Sequence, residues 1–221
     1  MAAPLSATLR SRKDDPRHVI VRWLGMQLTL LCAAARSLTR RPLPATPSGT
    51  HSYARRSPHR WLPWFLLLSL PADALFVALV LPPGSDLIAW LLFVVTVYSL
   101  LWSIGVYRTM HEHPHATAPD HVAFHNGALA TLTFEPATIT SVRVHPGFAP
   151  GAANARRYMR DAGLFIYGLG PFVDIRLGTP AILTTALRDR VVTRVLVQAD
   201  EPEALATALQ RSRGEPVDAA R

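Results

Sequence analysis

The chain concentrates its chemistry-bearing side chains in one run, MHEHPHATAPDHVAFH, which holds His111, His113, His115, His121 and His125 beside Glu112 and Asp120. In an extended backbone alternate residues face the same way, so His111, His113 and His115 could converge on a metal ion. Pro114 interrupts the alternation and there is no helical HExxH pairing. A solvated linker accounts for the run as well, and that is the reading adopted. No metal site and no cofactor is expected. Protonation of these histidines below about pH 6.5 would add positive charge at that point of the chain.

The second candidate is Asp73, the one ionisable group inside a long apolar stretch. A carboxylate at that depth costs about 2.5–3.5 kcal/mol on insertion scales, so it needs a role or a partner. In an antiparallel helical hairpin it stands level with Val95–Thr96, where Thr96, Ser99 and Ser103 share a face. A proton or ion relay is one use. A neutral Asp73 hydrogen-bonded to Thr96 or Ser99, joining the two helices, is the favoured one, because two helices alone enclose no pathway.

The elements that must position these groups begin with two apolar segments, residues 62–81 and 87–107, separated by PPGSD. Twenty helical residues span about 30 Å, the thickness of a bilayer's hydrocarbon core. A transmembrane hairpin over 61–108 follows, with Pro71 kinking its first arm. Arg55, Arg56 and Arg60 precede it, Arg108 follows it, and the turn has neither Lys nor Arg. Excess Lys and Arg mark the cytoplasmic side, which places both termini in the cytoplasm of a multi-pass cell-membrane protein.

Of the net charge of +8, residues 1–60 carry +9, the hairpin −2 and residues 108–221 only +1. The basic front suits a membrane-flanking segment, and the weakly charged back half disfavours a nucleic-acid surface. Residues 1–60 read as largely disordered, interrupted by a short apolar patch at 23–35 that is an interfacial helix, an unfolded extension or a signal sequence ending near Ala35. The lone Cys32 excludes an intrachain disulfide framework.

Beyond a His-rich linker at 109–119, residues 120–212 follow a strand rhythm. VAFH, Asn126-Gly127 and ALATLTF read as a hairpin with a type I′ turn. ITSVRV, LFIYG, FVDIRL, AILTT and VVTRVLVQA supply further strands, six or seven antiparallel ones in all. A closing helix at 201–212 starts at Asp200, with Glu203 completing a capping box. Arg143, Arg156, Arg157 and Arg160 form a candidate basic lip for lipid headgroups. Arg188, Asp189 and Arg190 read as a turn.

This order resembles the pleckstrin-homology-like (PH-like) domains of small bacterial membrane proteins. PADAL, YSLLWSIGVYR, ITSVRV, VDIRLGTPAIL and RVVTRVLVQADEPEALATAL resemble one uncharacterised family of that kind, over about residues 61–210. The resemblance implies a membrane α-helical hairpin followed by a small, mainly β, curved antiparallel sheet with a C-terminal helix. It supplies no catalytic residues. With GxSxG, Walker, HExxH and paired-cysteine patterns also missing, the expectation is a non-catalytic interaction or scaffold module, not an enzyme. Its expected partners are the lipid bilayer and a protein partner or a second copy. The alternative is a metal- or proton-handling membrane protein built on the histidines or on Asp73.

Overall fold

The computed structural model describes residues 16–44, 48–80, 82, 85–145, 164–166 and 171–214. Three long helices come first or nearly so: α1 (Pro16–Leu38), α2 (Leu62–Val80) and α3 (Asp86–Glu112). Between α1 and α2 lies a two-residue strand, β1 (Thr50–His51). After α3 come β2 (His115–Thr117), β3 (Val122–Asn126), β4 (Ala130–Phe134), β5 (Ile139–His145), β6 (Leu164–Ile166), β7 (Phe172–Thr185) and β8 (Asp189–Gln198). Helix α4 (Pro202–Ser212) closes the order. The architecture is an apolar helical hairpin, α2 and α3, followed by a curved PH-like sheet with a trailing helix.

The sheet runs β1-β2-β3-β4-β7-β8-β6, with β5 also on β7. Strand β7 explains its curvature. Its first half, Phe172–Leu177, pairs with β5, and its last residues, Leu183–Thr185, pair with β4. The register with β8 shifts between Arg176 and Ala181, around Gly178 and Pro180. A bulge there bends one 14-residue strand across both halves of the sheet. FVDIRL and AILTT are thus one strand, not two. All pairings are antiparallel except β6 with β8, which is parallel.

Four further expectations need correction. Residues 1–60 are not largely disordered where described: α1 is a 23-residue helix, and Tyr53 and Ala54 are fully buried. The apolar patch extends beyond 23–35 because packing on α3, not composition, sets the helix length. Residues 109–119 are not a linker. Helix α3 continues to Glu112, and β2 starts at His115. The β3–β4 connection is a three-residue loop, Asn126 pairing with Ala130 and only Gly127 having positive φ (+50°), so no type I′ turn forms. Finally, Asp200 does not cap α4. Its carboxylate accepts from the Arg56 N–H (3.0 Å) and faces the Arg55 N–H (3.4 Å), tying the pre-membrane segment to the sheet.

One hydrophobic core joins helices and sheet. It includes Leu30 of α1, Val106 and Met110 of α3, Phe124, Leu132, Ile175 and Val195 of the sheet, and Leu205 and Leu209 of α4. The first part of α3 faces outward: Leu87 to Val95 are exposed apart from half-buried Ala89, and beyond them Thr96 and Val97 are partly buried while Tyr98 is exposed. Among the described residues α1 and α3 are long and apolar enough to cross a membrane, and α2 adds a shorter apolar stretch, Leu62–Phe76. Exposed apolar surface on this scale marks membrane association.

Candidate functional site

The helix-to-sheet junction is where the histidine run ends up, and the structure disperses it. His111 lies on α3 with its ring edge-on to Tyr107 (centroids 4.9 Å). His113 terminates α3, its Nδ1–H donating to the Thr109 carbonyl at 3.0 Å. His115 is fully buried in β2. Among the described residues no three His, Cys, Asp or Glu side chains are placed to hold a metal ion. The helix-to-strand change at His113 is the reason: the three residues never share one extended backbone.

His115 instead belongs to a packed polar junction. Its ring stacks on Tyr53 (4.2 Å, 16°) and meets Phe124 edge-on at 5.2 Å. Nε2–H donates to the Gln198 carbonyl at 2.9 Å, and Nδ1 accepts the His125 N–H at 3.3 Å. These partners require the neutral Nε2–H tautomer. Burial pushes its pKa down to about 3, only partly offset by the Gln198 carbonyl. His51 and His125, both partly desolvated, are also pushed down. With its pKa near 3, His115 stays neutral at neutral pH.

Tyr53 completes the junction. Its hydroxyl donates to the His113 carbonyl (3.2 Å) and accepts the Gly127 N–H (2.8 Å). One side chain from the segment before α2 thereby links the end of α3 to the β3–β4 loop. Buried Thr109 adds a hydroxyl that accepts the Ala128 N–H at 3.3 Å. Gly127 is required here, because a Cβ would collide with the Thr109 side chain.

A second locking cluster joins α1 to α3. Glu112 receives Arg36 through both carboxylate oxygens (3.1 and 2.7 Å) and Arg108 at 3.0 Å. Arg108 also donates to the carbonyls of Arg41 and Pro42. It is a junction residue. Deeper along the pair the backbones touch: a Cβ on Gly105 would lie 2.8 Å from the Leu30 carbonyl carbon and closer still to its oxygen. The Tyr98 hydroxyl donates to Gln27 Oε1 at 2.5 Å.

Of the hairpin candidates, Thr96 and Ser99 donate back to the Leu92 and Val95 carbonyls (3.0 and 2.8 Å). Asp73 falls within α2, but its side chain is outside the described residues. Ser99 and Ser103 border a crevice of about 460 Å³ between α1, α2 and α3, together with Gln27, Trp23 and Trp102. Of the proposed basic lip, Arg143 is exposed on β5, opposite Asp174 in register. Arg156, Arg157 and Arg160 lie outside the described residues. Asp174, buried in the sheet, is held bidentately by Arg194 at 2.8 and 2.6 Å, with His145 at 3.8 Å. That pairing occupies the carboxylate as a structural tie.

Sequence reasoning missed Tyr53, Thr109, Gly105, Gln27 and the Arg36–Glu112 pair. The available signal for the last was an acid and a base near the ends of two apolar runs. No family model, curated protein or solved structure matches the chain.

Proposed function

We propose that this chain is a membrane-anchored, non-catalytic interaction module of the PH-like kind seen in small bacterial membrane proteins. Its helices fix the sheet's position at the bilayer, and the sheet presents an edge to a protein partner or to a second copy. The observation that carries this reading is the continuous core from Leu30 and Val106 to Phe124 and Leu209. A domain free to wander on a tether needs no such core; one that must present a fixed surface does. The polar groups support it too, since Tyr53, His115, Glu112 and Asp174 are engaged in structural contacts instead of facing a common cleft.

The presenting edge is β5. Among the described residues its only strand partner is β7, α4 packs against it, and the proposed partner adds a strand along its outer side. We place the sheet and both termini on the cytoplasmic side, following the Arg residues at 55, 56 and 60. Helix α1 packs alongside α3 and ties the sheet to it through Arg22 and Asp189. A photo-crosslinker replacing Arg143, activated in native membranes, tests the reading. One discrete adduct of protein or of a second copy is expected. No adduct from Arg143, with discrete adducts from α4 or the β3–β4 loop, would overturn the choice of edge.

A further inference from the structure

We propose that the β7–β8 hairpin tip is a membrane-docking wedge that inserts Leu187 into the bilayer interface and places Arg188 and Arg190 on anionic lipid headgroups. This rests on the membrane anchoring of the helices, but not on the choice of β5 as a partner edge.

The tip is unusual for a solvent-facing turn. Leu187 is 61% exposed, and behind it the cross-strand pair Ile182 and Val191 is exposed on the outer face. Arg188 and Arg190 are exposed on either side of Asp189. Asp189 is the one acid at the tip, and Arg22 of α1 neutralises it at 3.0 Å. The same Arg22 Nη2 also donates to the Thr185 carbonyl. An apolar apex flanked by two exposed guanidinium groups matches the interface of an anionic bilayer, apolar below and phosphate-rich above.

The contacts of α1 put the tip at the right level. Gln27 meets Tyr98, Leu30 meets Gly105, and Arg36 meets Glu112. Both helices therefore run in the same direction. Arg22 lies five residues before Gln27, about 7–8 Å further along the axis. That direction leads away from the sheet junction and toward the lipid-facing part of α3, where Trp90 to Val95 are exposed. The hairpin held by Arg22 is thus carried past the junction to about the level of Phe93, beside the exposed apolar residues of α3. Ile20, Val21, Trp23 and Leu24, exposed on the same stretch of α1, continue the apolar surface from α3 toward the tip. A bilayer is the occupant that this continuity favours; a separate protein would have to compete with the lipid already against α1.

The test uses the full chain with Cys32→Ser and Leu187→Cys, carrying an environment-sensitive fluorophore at 187, reconstituted in vesicles containing spin-labelled quencher lipids. A matching label at Glu203, exposed on α4, is the control. Blue-shifted emission at 187, quenched by lipid, with water-like emission at 203, is expected. Replacing phosphatidylcholine by mixtures containing phosphatidylglycerol deepens the quenching. Arg188→Ala with Arg190→Ala removes that lipid dependence, lowering the docked-to-undocked ratio by about 30-fold. Water-like, unquenched emission at 187 in every vesicle overturns the wedge. Quenching that ignores both lipid charge and the double substitution overturns the headgroup assignment.

Discussion

Gly105→Ala tests the helix packing at its tightest point. The new Cβ would fall 2.8 Å from the Leu30 carbonyl carbon and nearer to its oxygen. The obstruction is helix backbone, so no rotamer change relieves it, and α1 must withdraw by about 1 Å. That shift loosens Leu30, Ala33 and Ala34, all buried against α3 or the sheet. Forced overpacking of this kind costs about 1–3 kcal/mol, and the backbone contact argues for the upper half of that range. A loss of about 2 kcal/mol lowers the folded-to-unfolded ratio about 30-fold. Gly25→Ala is the internal control, because that glycine is helical, exposed and has nothing within 4 Å of its would-be Cβ. Alanine there should stabilise α1 by about 0.5–1 kcal/mol. Denaturant titration of both variants in one detergent gives the comparison. Equal stabilities, or a Gly105→Ala protein as stable as the parent, would refute the close approach of α1 and α3.

Three further outcomes follow from the junction. Tyr53→Phe leaves the Gly127 N–H without its acceptor in a buried site, and should cost about 1–3 kcal/mol in the same titration. His115 has a folded pKa of about 3, below its unfolded value near 6.5, so its contribution is fully present above about pH 6.5 and is lost as pH falls toward 3. About 2 kcal/mol should be gone by pH 5, with His51 and His125 adding in the same direction; denaturation midpoints that do not move between pH 7.5 and pH 5 would contradict it. Changing His111, His113 and His115 together should leave the metal content of the purified protein unchanged, read by elemental analysis, because their side chains never converge.

The apolar runs at 62–81 and 87–107, the strand rhythm after residue 120 and the closing helix were readable because each depends on local periodicity. What stayed hidden depends on tertiary contacts. Helix α1 carries only a thirteen-residue apolar core, and its remaining length is explained by its packing on Gly105 of the partner helix and the pairing of its Arg36 with Glu112 there. The histidine run looked like a linker because its polarity is high, yet His115 satisfies both ring nitrogens on backbone groups 10 and 83 residues away. Asp200 had the local pattern of a cap, but the N–H groups of Arg55 and Arg56 compete for its carboxylate and win. The bulge between Arg176 and Ala181 merges two apparent strands, FVDIRL and AILTT, and Gly178 and Pro180 lie at the bend.

The central claim is that helices and sheet move as one body at the membrane. It is tested most directly by the spin-label distance between Leu91→Cys on α3 and Thr133→Cys on β4, in Cys32→Ser protein embedded in lipid nanodiscs. Both positions are exposed and lie on opposite sides of residues 109–119. One narrow distance distribution is expected, the same in nanodiscs and in detergent. A broad or multi-peaked distribution, as a flexible linker at 109–119 would give, would contradict it.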